Sequence, residues 1–149
     1  LNISDEETLL EKFHHMMNIP QTTAILMQPM LSGTQIFIGA KREGNFGHLI
    51  LCGLGGIFVE TLKDINYSLS PVSREEADEM IRTLRSYRIL EGTRGQEGVN
   101  IPMFSEAVRR VSALCQAAPE IFEMDINPLM AGTRQITAVD ARIRIEKER

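Results

Sequence analysis

The sequence predicts an α+β fold with a mostly antiparallel sheet and helices packed on one face. Three observations lead to it. β-Prone segments at 34–41 and 48–52 are separated by a short turn, later segments repeat apolar residues at helical spacing, and 122–145 has the pattern of a terminal hairpin. Successive strands joined by tight turns pair antiparallel, which disfavours a doubly wound parallel sheet. With 149 residues, 43% of them hydrophobic, the chain is long enough for one domain with a core.

The first half of the chain is predicted to hold one helix and several strands. Ser4 and Glu7 have the spacing of a capping box, which opens a helix ending at about Met17. The segments 22–30, 34–41 and 48–52 are predicted to be strands of a meander, and a further β-like run follows at 67–69.

Two helices are predicted in the second half. Ser73 and Glu76 form a second capping box, and the helix they open has an apolar face of Ala77, Met80, Ile81 and Leu84. The glycine-rich stretch 91–102 is predicted to be a loop, and a helix at 103–117 follows it. The buried face of that helix is predicted to carry Phe104, Ala107, Val108, Val111, Leu114 and Cys115.

The terminal hairpin is predicted to gather oxygen-bearing side chains on one face. If the two ends of 122–145 pair through a two-residue loop at 132–133, Asp140 faces Asp125, and Asn127 shares their face. Two carboxylates and an amide oxygen are hard ligands that suit Mg²⁺, with nucleotide phosphates completing its octahedron. A shift of one residue would send Asp140 to the apolar face, so the hypothesis depends on the register.

The same pairing also allows a purely structural interpretation. It places Glu123 opposite Arg142 as an ordinary cross-strand ion pair, so the face could be a solvated ladder of charges. The pattern alone leaves both interpretations open.

A glycine cluster at Gly53, Gly55 and Gly56 follows a predicted strand. Glycine lets backbone N–H groups approach phosphate oxygens closely. The cluster lacks the Gly-Lys-Ser/Thr of a Walker A loop and the G-x-G-x-x-G spacing of dinucleotide-binding folds. A plain tight turn remains the alternative.

Charged residues near this loop are candidates for phosphate chemistry. Glu60, Lys63 and Asp64 follow the glycines, and a lysine there would neutralise a phosphoryl group during transfer. Arg94 lies between glycines at 92–95, and its fork of donors suits phosphate or carboxylate. A solvated strand edge and a surface arginine are the structural alternatives.

The strand end Met27-Gln28-Pro29-Met30 is a candidate for contact with a planar ligand. Proline lacks an N–H donor, which leaves neighbouring backbone groups free for a ligand edge, and methionine packs on a purine face. Core packing explains the methionines equally well.

Composition and charge exclude several classes of function. A net charge of −4 argues against an electrostatic grip on nucleic acid or on an anionic membrane, and no apolar run reaches the ~20 residues of a membrane helix. Cys52 and Cys115 lack metal-ligand spacing and are predicted to be buried, reduced thiols, which indicates a cytoplasmic compartment. Because the chain starts with Leu1, we expect it to be part of a longer protein.

Six short motifs occur here in the order typical of one family. They are Met27-Gln28-Pro29-Met30, Gly53-Leu54-Gly55-Gly56-Ile57-Phe58-Val59-Glu60 with Leu62-Lys63-Asp64, Leu69-Ser70-Pro71, Glu91-Gly92-Thr93-Arg94-Gly95, Asp125-Ile126-Asn127-Pro128-Leu129 and Ala138-Val139-Asp140-Ala141-Arg142. Together they resemble the C-terminal part of the ATP-grasp module of NDP-forming acyl-CoA synthetases, typified by ADP-forming acetyl-CoA synthetase and related to the succinyl-CoA synthetase β subunit. The resemblance implies that residues 1–149 are a single domain, the C-terminal portion of that module.

The resemblance also implies an activity for the whole enzyme. Carboxylate, CoA and ATP would be converted into acyl-CoA, ADP and phosphate through an acyl phosphate and a phosphohistidine. CoA-binding and phosphohistidine-carrying domains, in the same or a partner chain, would complete the enzyme, which would be an oligomer at full length.

Site residues follow from the resemblance as well. Mg²⁺ would be held by Asn127 and Asp140 with Asp125 nearby, and the adenine would meet Gln28, Pro29, Met30 and Leu31. The nucleotide phosphates would lie against Gly53, Gly55 and Gly56 near Glu60, and the residues expected to act in phosphoryl transfer are Lys63 and Arg94.

The chain departs from the family's pattern in two ways, which limit the roles carried over from the family. Gln35 stands where relatives often carry an acidic residue associated with ribose, and the upstream ATP-grasp part with its lysines is missing. One wall of a cleft cannot exclude water or assemble a phosphate clamp, so we predict that the isolated chain is inactive and binds ATP weakly or not at all.

Two other functions stay open. Some protein lysine acetyltransferases carry a synthetase-like region that senses acyl-CoA or nucleotide, although the retained Asp125, Asn127 and Asp140 favour catalysis. The chain could also be a bare α+β interaction domain in which Asp140 pairs with an arginine.

Overall fold

The computed structural model describes residues 3–56, 63–93, 95 and 97–146. By their contacts, two compact units can be distinguished, Leu1–Leu31 and Ser32–Arg149. That all 149 residues act as a single domain stays a prediction. Among the described helices, none is long and apolar enough to cross a membrane.

The first unit contains helix α1, Glu6–Met17. Its N-cap is Asp5, whose carboxylate accepts the Thr8 N–H at 2.8 Å, while the Ser4 hydroxyl donates to Asp5. The predicted capping box from Ser4 is therefore wrong by one residue, because the aspartate takes the capping position that satisfies the first-turn donors.

The predicted strand at 22–30 is also wrong. These residues have no regular secondary structure, and the described part of the first unit contains no strand with which they could pair. β-Prone side chains do not make a strand without a partner for the backbone, so the missing ladder explains the failure.

The second unit is built on a six-stranded antiparallel sheet. Its strands are β1 Thr34–Arg42, β2 His48–Leu54, β3 Ile65–Leu69, β4 Ile121–Ala131, β5 Ile136–Ala138 and β6 Ala141–Ile145. The order is β3-β2-β1-β4-β5, with β6 also paired to β4. The predicted fold class is confirmed.

The helices described in this unit are α2 Arg74–Arg82, α3 Tyr87–Glu91 and α4 Ile101–Ala117. The predicted capping box of α2 is present, since the Ser73 hydroxyl accepts the Glu76 N–H at 3.1 Å and the Glu76 carboxylate accepts the Ser73 N–H at 2.8 Å. Helix α4 starts two residues earlier than predicted because Asn100 caps it and Pro102 is tolerated in a first turn. The short α3 was not predicted.

One face of the sheet and the inner faces of α2 and α4 form the core. Its members include Ile36, Ile38, Ala40, Ile50, Cys52, Leu54, Ala77, Ile81, Phe104, Val108, Val111, Cys115 and Met124. Leu114 was predicted to be buried but is 45% exposed, because it lies at the edge of the apolar stripe of α4.

The register of the terminal hairpin differs from the prediction by two residues. Asp125 faces Arg142 rather than Asp140, and Glu123 faces Arg144. The hairpin turns at 133–134, where the Gly132 N–H donates to the Gln135 carbonyl at 2.9 Å. Because side chains alternate with a period of two, a two-residue shift leaves Asp125 and Asp140 on their predicted face. The alternation breaks at the irregularity between Ile121 and Glu123, where the Phe122 ring lies against the Arg144 guanidinium.

Strand β4 continues through Pro128, beyond the predicted end at 127. The pairing with β1 is irregular here, since Ile38 faces Ile126 but Ile36 faces Leu129, so Asn127 and Pro128 together oppose Phe37. Proline has no N–H for a regular ladder and is tolerated at such a bulge. Asn127 and Pro128 thus form a bulge inside β4.

Candidate functional site

The face of the sheet opposite the helices carries the charged residues of the hairpin. Gly39, Asp125 and Arg142 lie side by side on β1, β4 and β6. In the neighbouring row, Glu123 lies between Lys41 and Arg144, and the Arg144 guanidinium is 3.7 Å from the Glu123 carboxylate. The predicted charge ladder is therefore present, with Arg144 in the place predicted for Arg142.

Asp125 and Asp140 share this face and affect each other. Burial raises the pKa of Asp125; the Arg142 charge opposes that shift, whereas the charges of Asp140 and Glu123 add to it. Arg142 also lies 3.5 Å from the Asp140 carboxylate. The charges of Asp140 and Glu123 thus act against ionisation of Asp125, and a further cation beside Asp125 would stabilise its charged form.

The glycine cluster begins inside β2 rather than after it, because β2 extends to Leu54, two residues beyond the predicted end at 52, and Gly53 pairs with Phe37 and Ile65. Gly55 and Gly56 follow the strand, and their bonds reach the start of β1 and the hairpin. The Gly55 N–H donates to the Gln35 carbonyl at 2.8 Å, and the Gly56 N–H donates to Asn127 Oδ1 at 3.0 Å. Gly56 has φ of +62°, a left-handed conformation that favours glycine. The bond from Gly56 joins the glycine cluster to Asn127, one of the predicted metal-binding residues.

Lys63 and Asp64 adjoin the first glycine of the cluster. The Asp64 carbonyl approaches Gly53 so closely that a Cβ on Gly53 would overlap it, and the Asp64 carboxylate accepts the backbone N–H groups of Arg85 and Ser86 at 3.0 and 2.7 Å. Burial alone would raise the pKa of Asp64, but the hydrogen bonds from Ser86 and Arg85 bring it below its ordinary value. Lys63 is exposed, with φ of +48°. Asp64 therefore fixes the backbone from which Lys63 projects.

The structure does not test the other predicted residues. Gln28, Pro29, Met30 and Leu31 belong to the first unit and have no regular secondary structure. Glu60 and Arg94 lie outside the described residues. Their predicted roles stay predictions.

The donor set of the hairpin fits Mg²⁺ in its chemistry. No group of three or more His, Cys, Asp or Glu side chains within the described part of the chain is suited to hold a metal alone. Mg²⁺ does not need such a cage, because it usually takes one or two carboxylates and completes its shell with water and substrate phosphates. Asp125 and Asp140, with the amide oxygen of Asn127, match that requirement.

Sequence reasoning missed the contact between the glycine cluster and the hairpin. Gly56 and Asn127 are 71 residues apart, and Gln35, whose side chain lies against Gly56, was noted only as a departure from the family pattern. No local sequence signal points to a hydrogen bond between such distant segments.

Comparisons with known proteins show which family the chain is similar to. The chain is 36% identical, over 96% of its length, to the β subunit of acetate–CoA ligase (ADP-forming) I of Pyrococcus furiosus. It is 38% identical, over 83% of its length, to acetate–CoA ligase (ADP-forming) I of Archaeoglobus fulgidus. It spans 65% of the first relative and 18% of the second.

A solved structure of acetyl-coenzyme A synthetase 1 from Ca. Korarchaeum cryptofilum, in complex with coenzyme A and Mg-AMPPCP, is similar in fold. It superposes with a TM-score of 0.83 at 32% identity, covering 98% of this chain and 67% of that one. The PH1788 structure from Pyrococcus horikoshii gives a TM-score of 0.78 at 34% identity, covering 99% and 67%. The family model described as "ATP-grasp domain" matches residues 1–145. The resemblance found in the sequence is confirmed, and the chain belongs to the ATP-grasp domain family.

Proposed function

We propose that this chain is the nucleotide- and Mg²⁺-binding part of an ADP-forming acyl-CoA synthetase. The observation that carries the proposal is the hydrogen bond from Gly56 to Asn127, which unites a glycine loop with a pair of carboxylates on one open sheet face. The relatives named above are ligases, and one similar structure was solved with coenzyme A and Mg-AMPPCP. Those names favour a ligase over the acetyl-transfer sensor.

In this function the chain's residues bind and neutralise a polyphosphate. Asp125, Asn127 and Asp140 would hold Mg²⁺, which when bound screens the negative charge of the phosphate oxygens. The backbone of Gly53, Gly55 and Gly56 would lie against the phosphates, near Glu60. We assign charge neutralisation during phosphoryl transfer to Lys63 and Arg94.

We assign the adenine contact to the first unit of this chain and the remaining functions of the enzyme to other domains. Gln28, Pro29, Met30 and Leu31 would contact the adenine, while CoA binding and the phosphohistidine would belong to other domains of the same or a partner chain. The 65% and 18% shares of the two relatives leave room for such domains. A cytoplasmic, oligomeric enzyme is part of this proposal.

Substituting one carboxylate in the full-length protein tests the function. Asp140→Asn keeps the size of the side chain but removes a hard anionic ligand, so Mg²⁺-dependent formation of ATP from acyl-CoA, ADP and phosphate should fall about 100-fold or more, equivalent to about 2.7 kcal/mol. Asp78→Asn removes the same charge from α2 on the far side of the sheet and should leave the rate unchanged. Equal rates for both variants would reject the ligand role.

Calorimetry on the isolated 149-residue chain tests whether one wall of the cleft suffices. We expect Mg-ATP binding to be too weak to detect at micromolar concentrations, since the enclosing part of the cleft is missing. A micromolar dissociation constant would show that the chain alone forms the site.

A further inference from the structure

Asn127 has a contact that its predicted role as a ligand does not explain. Its Oδ1 accepts the backbone N–H of Gly56 at 3.0 Å, and both groups are partly buried. An amide oxygen has two lone pairs, so it can accept this hydrogen bond and still face a cation.

The contact acts at the end of a segment that is already held at two points. Gly53 lies against the Asp64 backbone, and the Gly55 N–H donates to the Gln35 carbonyl at 2.8 Å. Gly56 follows with left-handed φ and with the Gln35 side chain beside it. Among the hydrogen bonds of the described residues, the bond to Asn127 is the one that ties Gly56 to the hairpin.

The hairpin fixes Asn127 in turn. Its N–H donates to the Asp140 carbonyl at 3.2 Å, and the next carbonyl, that of Pro128, accepts the Val139 N–H at 3.0 Å. Asn127 therefore has a backbone position set by the Asp140 segment and a side chain that sets the position of Gly56. Displacing either segment would displace the other.

We propose that Asn127 is a positioning residue that fixes Gly56, the last residue of the glycine cluster, in position relative to Asp125 and Asp140. If the proposed function holds, the consequence of this positioning is that phosphate and cation meet at one preorganised site, and that consequence rests on the proposed function. The positioning itself exists without any ligand.

Amide hydrogen exchange at Gly56 in the full-length protein, free of metal and nucleotide, tests the positioning. In Asn127→Ala the exchange should be roughly 2- to 10-fold faster, the factor expected for loss of one hydrogen bond of ordinary net strength. Asn127→Asp keeps an acceptor and should retain the protection, while Asn45→Ala removes an exposed amide from another turn and should change nothing. Unchanged exchange in Asn127→Ala, or lost protection in Asn127→Asp, would overturn the proposal.

A second readout does not depend on the alanine variant folding. In Asn127→Asp the bond to Gly56 becomes charge-assisted, so the Gly56 amide proton should move downfield and return upfield as the new carboxylate is protonated. A Gly56 amide chemical shift that stays constant as the introduced carboxylate is protonated would contradict the proposal.

Nucleotide affinity separates this inference from the function on which it rests. If the full-length protein binds Mg-AMPPCP, Asn127→Ala should raise the dissociation constant and Asn127→Asp should restore it. If the wild-type protein binds no Mg-AMPPCP, the proposed function fails, yet the exchange experiment still decides whether Asn127 positions Gly56.

Discussion

Gly55 offers the sharpest test of how tightly the glycine loop is seated. A Cβ at this position would lie 2.6 Å from the Ile36 carbonyl oxygen and 2.7 Å from its carbon, whereas ordinary contact begins at 3.4 Å. Ile36 belongs to β1, which is paired on both sides by β2 and β4, so its backbone cannot move away. The loop itself has to shift in a Gly55→Ala variant.

The cost of that shift follows from two losses. Overpacking of a well-packed region costs about 1–3 kcal/mol. Displacing Gly55 also breaks its N–H bond to the Gln35 carbonyl, 2.8 Å long, and a buried donor without a partner costs about 1–3 kcal/mol. Since one movement causes both, we expect Gly55→Ala to lower the free energy of unfolding by about 2–4 kcal/mol.

Urea unfolding followed by far-UV circular dichroism measures this loss, with Gly132→Ala as a matched control. A Cβ on Gly132 would meet only the Gln135 carbonyl, at 3.9 Å, so that variant should change the stability by less than about 1 kcal/mol. Equal unfolding midpoints for the two variants would refute the close packing of the loop on β1.

Three further predictions concern a buried hydrogen bond, a carboxyl group with a raised pKa and the two cysteines. The buried Val72 N–H donates to the Ser112 hydroxyl at 2.9 Å, and Ser112→Ala removes this acceptor. The variant should lower the free energy of unfolding by about 1–3 kcal/mol in the same urea assay. An unchanged midpoint would mean that water replaces the hydroxyl. Burial raises the pKa of Asp125, so the folded state binds this proton more tightly than the unfolded state. The free energy of unfolding of the wild-type protein should therefore fall relative to that of Asp125→Asn as the pH rises through the raised pKa. Parallel profiles of stability against pH would contradict this. Burial, with the charge of Asp64, raises the pKa of the Cys52 thiol to about 12, and burial also raises the pKa of the Cys115 thiol. Iodoacetamide at pH 8 should therefore label neither thiol until urea unfolds the protein. Rapid labelling of the folded chain would disprove the burial.

Elements set by neighbouring residues could be predicted from the sequence. The capping box of Ser73 and Glu76 and the apolar face of α2 depend on side chains within a few positions of each other. The same applies to the face shared by Asp125 and Asp140, because alternation along a strand is a local property.

Elements that depend on a partner could not be predicted in the same way. The β-prone segment 22–30 has the composition of a strand but no described strand to pair with, and Pro128 is accommodated in β4 only because a bulge forms opposite Phe37. In both cases the deciding groups lie on another segment of the chain.

The sequence by itself determined the fold class, the family and the side of the sheet on which the acidic residues lie. Only the tertiary structure decided that Asp125 faces Arg142 and that Asn127 holds Gly56. A two-residue shift of register preserves every face, so the pattern of side chains cannot distinguish the two pairings. A hydrogen bond across 71 residues exists only once the sheet has brought its ends together.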